Sequence, residues 1–189
     1  AAAAQGAFKK ALAIYEKAAL FPNIISAGCR APCEEACKLC ELGDGIAVRD
    51  IEHAVVKFGE STRSGSVFRM KKKKRVVLFG AGLFALFLAG ELEKKVYPLT
   101  VFCEEPNLAA YLRAAAPFLE SAAFENELKR LAAKEIDFRF GCSLTKELME
   151  EKRAAFDIVC ASAAAARQLY PDAVCDEQLM LYAPQSLIM

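Results

Sequence analysis

Residues 76–85 read Val-Val-Leu-Phe-Gly-Ala-Gly-Leu-Phe-Ala, an apolar run of four followed at once by a glycine-rich turn. A short continuous apolar run that ends at a glycine is typical of a strand buried on both faces. Residues 83–94 predict a helix, and a second apolar run follows at residues 99–102. Strand, helix and strand within about thirty residues predict a right-handed βαβ unit with two parallel strands.

The turn has the spacing Gly-x-Gly-x-x-Gly/Ala, which Gly80, Gly82 and Ala85 supply. In a dinucleotide site the first glycine permits the tight turn, and the second lets a pyrophosphate approach the backbone. The helix that opens at Leu83 would offer free amides and a partial positive charge. The sequence therefore predicts a turn of the kind that binds a dinucleotide.

An acidic residue is expected at the end of the second strand, where it would take a ribose hydroxyl. Cys103 stands at that position, and Glu104 and Glu105 follow it. A shift of one residue in a strand moves the side chain to the other face of the sheet. Two interpretations therefore stay open: a nucleotide site, and a Rossmann-type turn that holds no nucleotide.

The second motif is Cys29-x3-Cys33-x3-Cys37-x2-Cys40, which places four of the eight cysteines within twelve residues. Thiolates at this spacing converge on one side of a helical turn or loop, and four of them match the ligand number of a [4Fe-4S] cluster. Structural zinc sites usually draw two separated cysteine pairs onto different elements. We predict one [4Fe-4S] cluster, with zinc and free thiols as the alternatives.

Crowded thiols suit a metal site in a reducing compartment better than a disulfide framework, so we expect a cytoplasmic protein. Cys142, Cys160 and Cys175 are expected to be small buried apolar residues. The chain has one histidine, His53, which we expect to be a surface or packing residue. No nucleophilic triad can be assembled around it, so no catalytic residue is assigned.

The amino-acid composition excludes several classes of protein. The 189 residues are 55% hydrophobic with a mean hydropathy of +0.21, which argues against disorder. A net charge of +1 gives no global field for nucleic acid. The longest charge-free apolar run, Val76–Gly90, is shorter than the ~20 residues of a spanning helix, and the N-terminus lacks the pattern of a secretory signal. We expect neither a membrane span nor nucleic-acid binding.

The pattern of elements changes along the chain. Helices are predicted before the polar, basic stretch of residues 59–74, and alternating helices and strands are predicted after it. The sequence predicts a two-part α+β chain: a small α-helical iron-sulfur domain at residues 1–68, then a Rossmann-like α/β domain with a parallel sheet at residues 69–189. The predicted helices are 6–20, 46–58, 83–94, 124–133 and 144–154, and the predicted strands are 76–79, 99–102, 136–140 and 156–160.

Together these motifs resemble one known family. Phe21–Ile25 leading to Cys29–Cys37, then Ile46–Glu52, then Lys74–Gly82 are similar to the glutamate synthase small-subunit type of FAD-dependent pyridine nucleotide oxidoreductases. The resemblance continues through residues 118–119, 136–140 and 144–160. It implies an N-terminal helical iron-sulfur domain followed by the first FAD-binding Rossmann segment.

The chain also departs from that family. Ile25 stands where the family usually has a cysteine, whereas Cys40 stands at a position that is commonly another residue, so the ligand set is rearranged. Ala109-Ala110 replaces a glycine pair, and Ala161-Ser162-Ala163 replaces an alanine-threonine-glycine turn near the cofactor. The 189 residues leave no room for the family's inserted NAD(P)H domain or for the returning half of its FAD site. We expect a truncated relative without tightly bound FAD.

These observations predict a non-catalytic iron-sulfur electron-transfer or adaptor subunit of a larger oxidoreductase complex. The expected partners are redox subunits with iron-sulfur clusters or flavin, in a hetero-oligomer. The alternatives are a small FAD-containing subunit that uses a nicotinamide or flavin site on a partner, and a zinc-stabilised interaction module. The basic run Lys71–Arg75 predicts either a solvated linker or a docking site for an acidic partner. The apolar residues 179–182 and 187–189 predict a surface that is covered either by a partner or by the chain's own core.

Overall fold

The computed structural model of this chain describes residues 2–59 and 70–169, together with the backbone of residues 179–182. The described residues form two compact units. The first comprises residues up to 59 and residues 118–127, and the second comprises residues 70–117 and those from 128 onward. The predicted boundary after residue 68 lies outside the described residues and stays a prediction. Sequence position had placed residues 118–127 in the second part.

The first unit contains short helices. The helix predicted at its start is α1 (Phe8–Ala18), and the one predicted after the cysteines is α4 (Val48–Phe58). Pro22 follows the end of α1, as its sequence suggested, but it also begins α2, where a missing backbone N–H costs nothing at the first helical position. The helices are α1 (Phe8–Ala18), α2 (Pro22–Gly28), α3 (Pro32–Glu35) and α4 (Val48–Phe58), with 3-10 turns at Ala3–Gln5 and Lys38–Glu41.

The core of this unit lies between α1 and α4. Leu12 is 1% exposed and packs with Ala11 and Val55. The rings of Phe8 and Phe58 lie with their centroids 5.5 Å apart at the ends of the two helices. Apolar residues at three- and four-residue steps thus face each other, which is the packing that the amphipathic pattern predicts.

A buried carboxylate joins residues 118–127 to α2. Glu127 is fully buried, and its Oε2 accepts hydrogen bonds from Asn23 N at 2.9 Å and Asn23 Nδ2 at 2.8 Å. A buried carboxylate is tolerated only with such donors, because removing it from water is costly. The spacing of apolar residues does not predict a contact between two polar side chains. For this reason the sequence does not assign residues 118–127 to the first unit.

The second unit is built on a five-stranded sheet in the order β3-β2-β1-β4-β5. The first four strands in this order are parallel, and β5 runs antiparallel to β4. This arrangement confirms the predicted Rossmann-like part with a parallel sheet. The strands are β1 (Val76–Phe79), β2 (Leu99–Phe102), β3 (Asp137–Arg139), β4 (Ile158–Ser162) and β5 (Leu179–Tyr182).

The helices of this part alternate with the strands. The bounds of α5 agree with the prediction, α7 and α8 lie within a few residues of theirs, and α6, α9 and β5 were not predicted. Asn107 caps α6, because its side chain accepts from Ala110 N at 2.9 Å, and this N-cap was the missed sequence signal. The helices are α5 (Leu83–Lys94), α6 (Leu108–Ala115), α7 (Ser121–Ala132), which begins in the first unit, α8 (Lys146–Ala155) and α9 (Ala163–Leu169).

Strand β1 is the centre of the sheet, and none of its four side chains is exposed. Val76 lies in register with Leu99 of β2 and with Ile158 of β4. The parallel strands therefore end near one edge, where the turn at Gly80 begins. None of the helices described here has the length and apolar character required to cross a membrane.

We predict that Asn23→Ala lowers the free energy of unfolding by about 1.5–3 kcal/mol, because it removes a donor from a buried charged acceptor. Asn126→Ala is the matched control, since Asn126 is exposed on the same helix as Glu127 and should change stability by less than about 0.5 kcal/mol. Urea denaturation of the full chain measures both. Equal effects of the two substitutions would show that the Asn23–Glu127 contact does not stabilise the unit.

Candidate functional site

The four clustered cysteines lie on the irregular segment between α2 and α4. Cys29 follows the end of α2, Cys33 lies in α3, and Cys40 lies in the second 3-10 turn. Cys33 and Cys40 are exposed, whereas Cys29 and Cys37 are half-buried. The backbone of Ala31 in this segment has a φ of 52°, in the left-handed region that residues other than glycine rarely adopt.

Cys37 and Cys40 are brought together around one backbone carbonyl. Glu34 O accepts from Cys37 N at 3.2 Å and from Cys40 Sγ at 3.7 Å. Gly45 lies against the Cys40 sulfur, and a Cβ at this position would come within 2.6 Å of Cys40 Sγ. Gly45 therefore provides the room that the Cys40 sulfur occupies.

The same glutamate anchors this segment to α4. Its Oε1 accepts from Arg49 N at 2.7 Å, one of the amides at the helix N-terminus that has no partner within the helix. Glu34 thus contacts the cysteine segment through its carbonyl and α4 through its carboxylate. The helix after the motif and the motif itself are positioned by one residue.

Backbone amides point at two of the sulfurs. The hydrogen bond from the amide of Ile46 lowers the pKa of the Cys37 thiol most, and the amides of Leu39 and Cys40 and the Cys40 side chain lower it further. Ala31 N donates to Cys29 Sγ at 3.3 Å. Amide donors stabilise thiolate sulfur, and hydrogen bonds of this kind tune the potential of iron-sulfur clusters.

The segment does not bring all four thiols into one ligand set. In the part of the chain that the structure describes, no group of three or more His, Cys, Asp or Glu side chains is arranged to hold a metal ion. Cys29 lies instead near Tyr15, whose pKa is raised by burial, by Glu52 and by Cys29 itself. His53 is exposed, and its Nε2 donates to Ser26 O at 2.7 Å, which agrees with the surface or packing role expected of it.

The glycine turn has two glycines with different roles. Gly80 has a φ of 93°, and a Cβ there would lie 2.3 Å from Ser162 Oγ and 3.0 Å from Ala165 Cβ. Packing against β4 and α9 alone therefore requires this glycine. Gly82 has a φ of 113° with nothing within 4 Å of its Cβ position, so the space beside it is open. Ala85 is 1% exposed, as expected where α5 packs closely on the sheet.

The two acidic residues after β2, Glu104 and Glu105, line a cavity beside the glycine turn, whereas Cys103, which stands at the predicted ribose-binding position, does not. Cys103 is fully buried, and burial, followed by Glu105 and Cys142, raises its pKa to about 12. Glu104 Oε1 accepts from Leu144 N and from Gln168 Nε2, each at 3.4 Å. Within the described residues, Glu105 Oε2 is buried without a hydrogen-bond partner. Sequence position alone could not show which of these residues faces the turn.

A cavity of about 250 Å³ lies between the turn and these carboxylates. Drug-sized ligands occupy pockets of roughly 300–1,000 Å³, so the described residues enclose room for part of a dinucleotide. No basic side chain of the described chain lines it. The lining includes Gly80, Gly82, Glu104, Glu105, Leu144 and Ser162. The space beside Gly82 is open to an approaching group, and the described lining does not enclose a whole FAD.

Two curated relatives are similar to this chain. They are the glutamate synthase [NADPH] small chains of Mycobacterium tuberculosis strains CDC 1551 / Oshkosh and ATCC 25618 / H37Rv, each 28% identical over 144 residues. The match covers 74% of this chain and 30% of each relative, so the chain spans less than a third of their length. No protein-family model matches the chain. The similarity supports a distant relationship to an oxidoreductase subunit.

We predict that iodoacetamide labels Cys37 at lower pH in the folded metal-free chain than in the same chain in denaturant. The lowered pKa means that its thiolate, the reactive form, already accumulates at lower pH in the folded state. Cys103 and Cys160, whose pKa values burial raises to about 12 and about 11, should stay unlabelled near neutral pH. Mass spectrometry of the labelled peptides measures each profile. Superimposable folded and denatured profiles for Cys37 would contradict the prediction.

Proposed function

We propose that the chain is an iron-sulfur electron-transfer or adaptor subunit of a larger oxidoreductase complex. The observation that carries this proposal is the cysteine segment, in which backbone amides donate to the Cys37 and Cys29 sulfurs. Cys29, Cys33, Cys37 and Cys40 would hold one [4Fe-4S] cluster. A bound cluster would supply one-electron transfer without substrate chemistry.

The residues around the thiols support a soft metal group. Thiolate is the form that binds metal, and the Cys37 environment favours thiolate. Gly45 leaves room beside Cys40, and Glu34 ties the segment to α4. Because metal sites are rarely preformed without metal, the separation of Cys29 from Cys37 and Cys40 agrees with folding of the segment on loading.

The exposure of this segment supports contact with a partner. Cys33 and Cys40 are exposed, and Leu42 beside them is 87% exposed. An electron carrier has to bring its centre close to another redox centre, and an exposed ligand segment allows that approach. The proposed partners are redox subunits with iron-sulfur clusters or flavin, and the proposed location of the hetero-oligomer is the cytoplasm.

We predict that Ala in place of Cys29, Cys33, Cys37 or Cys40 abolishes or degrades the cluster after anaerobic reconstitution of the full chain. Each thiolate is one of four ligands, so its removal leaves an iron atom incompletely held. Iron, acid-labile sulfide and visible absorption are measured per chain. Cys142→Ala is the control, because Cys142 is half-buried and lies outside the segment.

Two results would overturn the cluster proposal. Unchanged iron content in all four variants would assign the iron to other groups. Zinc without sulfide in the chain purified anaerobically from its native source would instead support the zinc-stabilised interaction module, for which four thiolates are also sufficient ligands.

A second candidate is a small FAD-containing subunit that uses a nicotinamide or flavin site on a partner. The open space beside Gly82, together with the buried Glu105 carboxylate near the same cavity, favours it. Against it stand the small volume and the lack of basic lining among the described residues. The iron-sulfur subunit is therefore the preferred function, with FAD binding as the competing outcome.

We predict that acid extraction of the purified full chain releases far less than one FAD per chain. The cavity of about 250 Å³ encloses only part of a dinucleotide, so most of the FAD surface would stay in water. Flavin fluorescence of the protein-free extract measures the stoichiometry. One FAD per chain, lost on Gly82→Val, would establish the flavin subunit instead.

A further inference from the structure

The basic run Lys71–Arg75 is held against the edge of the sheet where the parallel strands begin. Lys72 N donates to Val96 O at 2.9 Å, and Arg75 N donates to Asp157 Oδ2 at 2.7 Å. The run is therefore attached at both ends immediately before β1. The interpretation of this run as a solvated linker does not account for these contacts.

The charges of the run are only partly matched within the chain. Lys71 Nζ lies 3.1 Å from Glu135 in a pair that is more than half exposed, and Lys72 Nζ lies 4.2 Å from the centroid of the Tyr97 ring. In the described parts of the chain, Lys73 and Lys74 are exposed and have no carboxylate within ion-pair distance. Without the five cations, the sequence would have 20 basic and 24 acidic residues. The run is a local concentration of positive charge on a nearly neutral chain.

An open groove of about 630 Å³ adjoins the run. Leu99, Ile136 and Phe156 supply apolar lining, and Lys71 and Arg75 supply positive charge. The Arg75 guanidinium lies 5.4 Å from the centroid of the Phe156 ring and donates to Ala155 O. An arginine fixed on an aromatic ring presents its remaining donors in a planar fork that matches a carboxylate.

We propose that this surface, Lys71–Arg75 with the adjoining groove, docks an acidic segment of a partner protein. Carboxylates of the segment pair with Lys73, Lys74 and Arg75, and an apolar side chain enters the groove over Phe156. The backbone of the run is held at Lys72 and Arg75, so it loses less conformational freedom on binding than a free linker would, which favours a specific dock. The surface belongs to the second unit and requires no cluster, so this proposal stands or fails independently of the proposed function.

The chemistry of the groove favours a protein over a nucleic acid or a lipid surface. Glu135 and Asp137 also line it, so a continuous phosphate backbone in the groove would be repelled. The proposed protein segment instead places an uncharged apolar side chain in the groove and its carboxylates beside the cations of the run. Apolar lining beside an arginine on an aromatic ring is also the composition of the energetically dominant part of protein interfaces.

The test uses the full chain and a fluorescein-labelled peptide of glutamates around one central phenylalanine, with fluorescence anisotropy as the readout. We expect binding that weakens as salt rises, and Lys73→Glu with Lys74→Glu should reduce the affinity by about tenfold or more. The control is Lys9→Glu with Lys10→Glu, an exposed adjacent lysine pair on α1 that changes the net charge equally. Arg75→Lys should reduce the affinity by about threefold, because it keeps the charge but loses the stacked fork.

Three results would overturn the dock. The first is no binding of the peptide at low salt. The second is an equal loss of affinity in the Lys9 and Lys10 control, which would assign the binding to net charge alone. The third is tighter binding to double-stranded DNA or to phosphatidylserine vesicles than to the peptide. Circular dichroism of each variant checks that it is folded, and Arg75→Lys, which keeps the charge, is the variant least able to disturb the fold.

Discussion

Complete burial of one strand organises the second unit. Strand β1, Val76–Phe79, lies between β2 and β4, and all four of its side chains are fully buried. Each such side chain removed from water is worth about 1.5–3 kcal/mol, so burial strongly favours this central position for the strand. The chain leaving β1 must then turn at once, and Gly80 makes that turn while Ser162 and Ala165 pack against it. The position of the glycine turn follows from the packing of the strand before it.

The two glycines of the turn differ in what requires them: packing within the chain requires Gly80, whereas packing does not require Gly82. A residue larger than glycine at position 80 would meet the chain's own atoms, whereas position 82 faces open space. The fingerprint spacing therefore combines one glycine that the fold requires with one that only a close-approaching ligand would require. A Rossmann-type turn can keep the first for structural reasons after a nucleotide is no longer bound. The motif by itself is thus weaker support for a cofactor than its spacing implies.

Sequence reasoning succeeded where one local signal was sufficient. The bounds of β1, α5 and β2 agree with the prediction because a continuous apolar run and a glycine turn mark them directly. It missed α9 because residues 163–169 follow β4 without a loop, and it could not relate Glu127 to Asn23 because that contact joins residues 104 positions apart. Which acidic residue faces the cavity depended on where β2 ends, which spacing does not specify within one residue.

The cysteine segment poses the opposite problem, because its motif is clear in the sequence, whereas the described residues do not bring the four thiols into one ligand set. Here the structure contributes contacts around the thiols: amides directed at Cys37, room for the Cys40 sulfur beside Gly45, and the attachment of Glu34 to α4. These contacts place half of the four thiols. The Cys29 sulfur also accepts from Ala31 N, whereas Cys33 is exposed in the short helix α3. In the proposed function, the sulfurs that backbone groups already contact, those of Cys29, Cys37 and Cys40, would supply the first ligands, and the exposed Cys33 would complete the set.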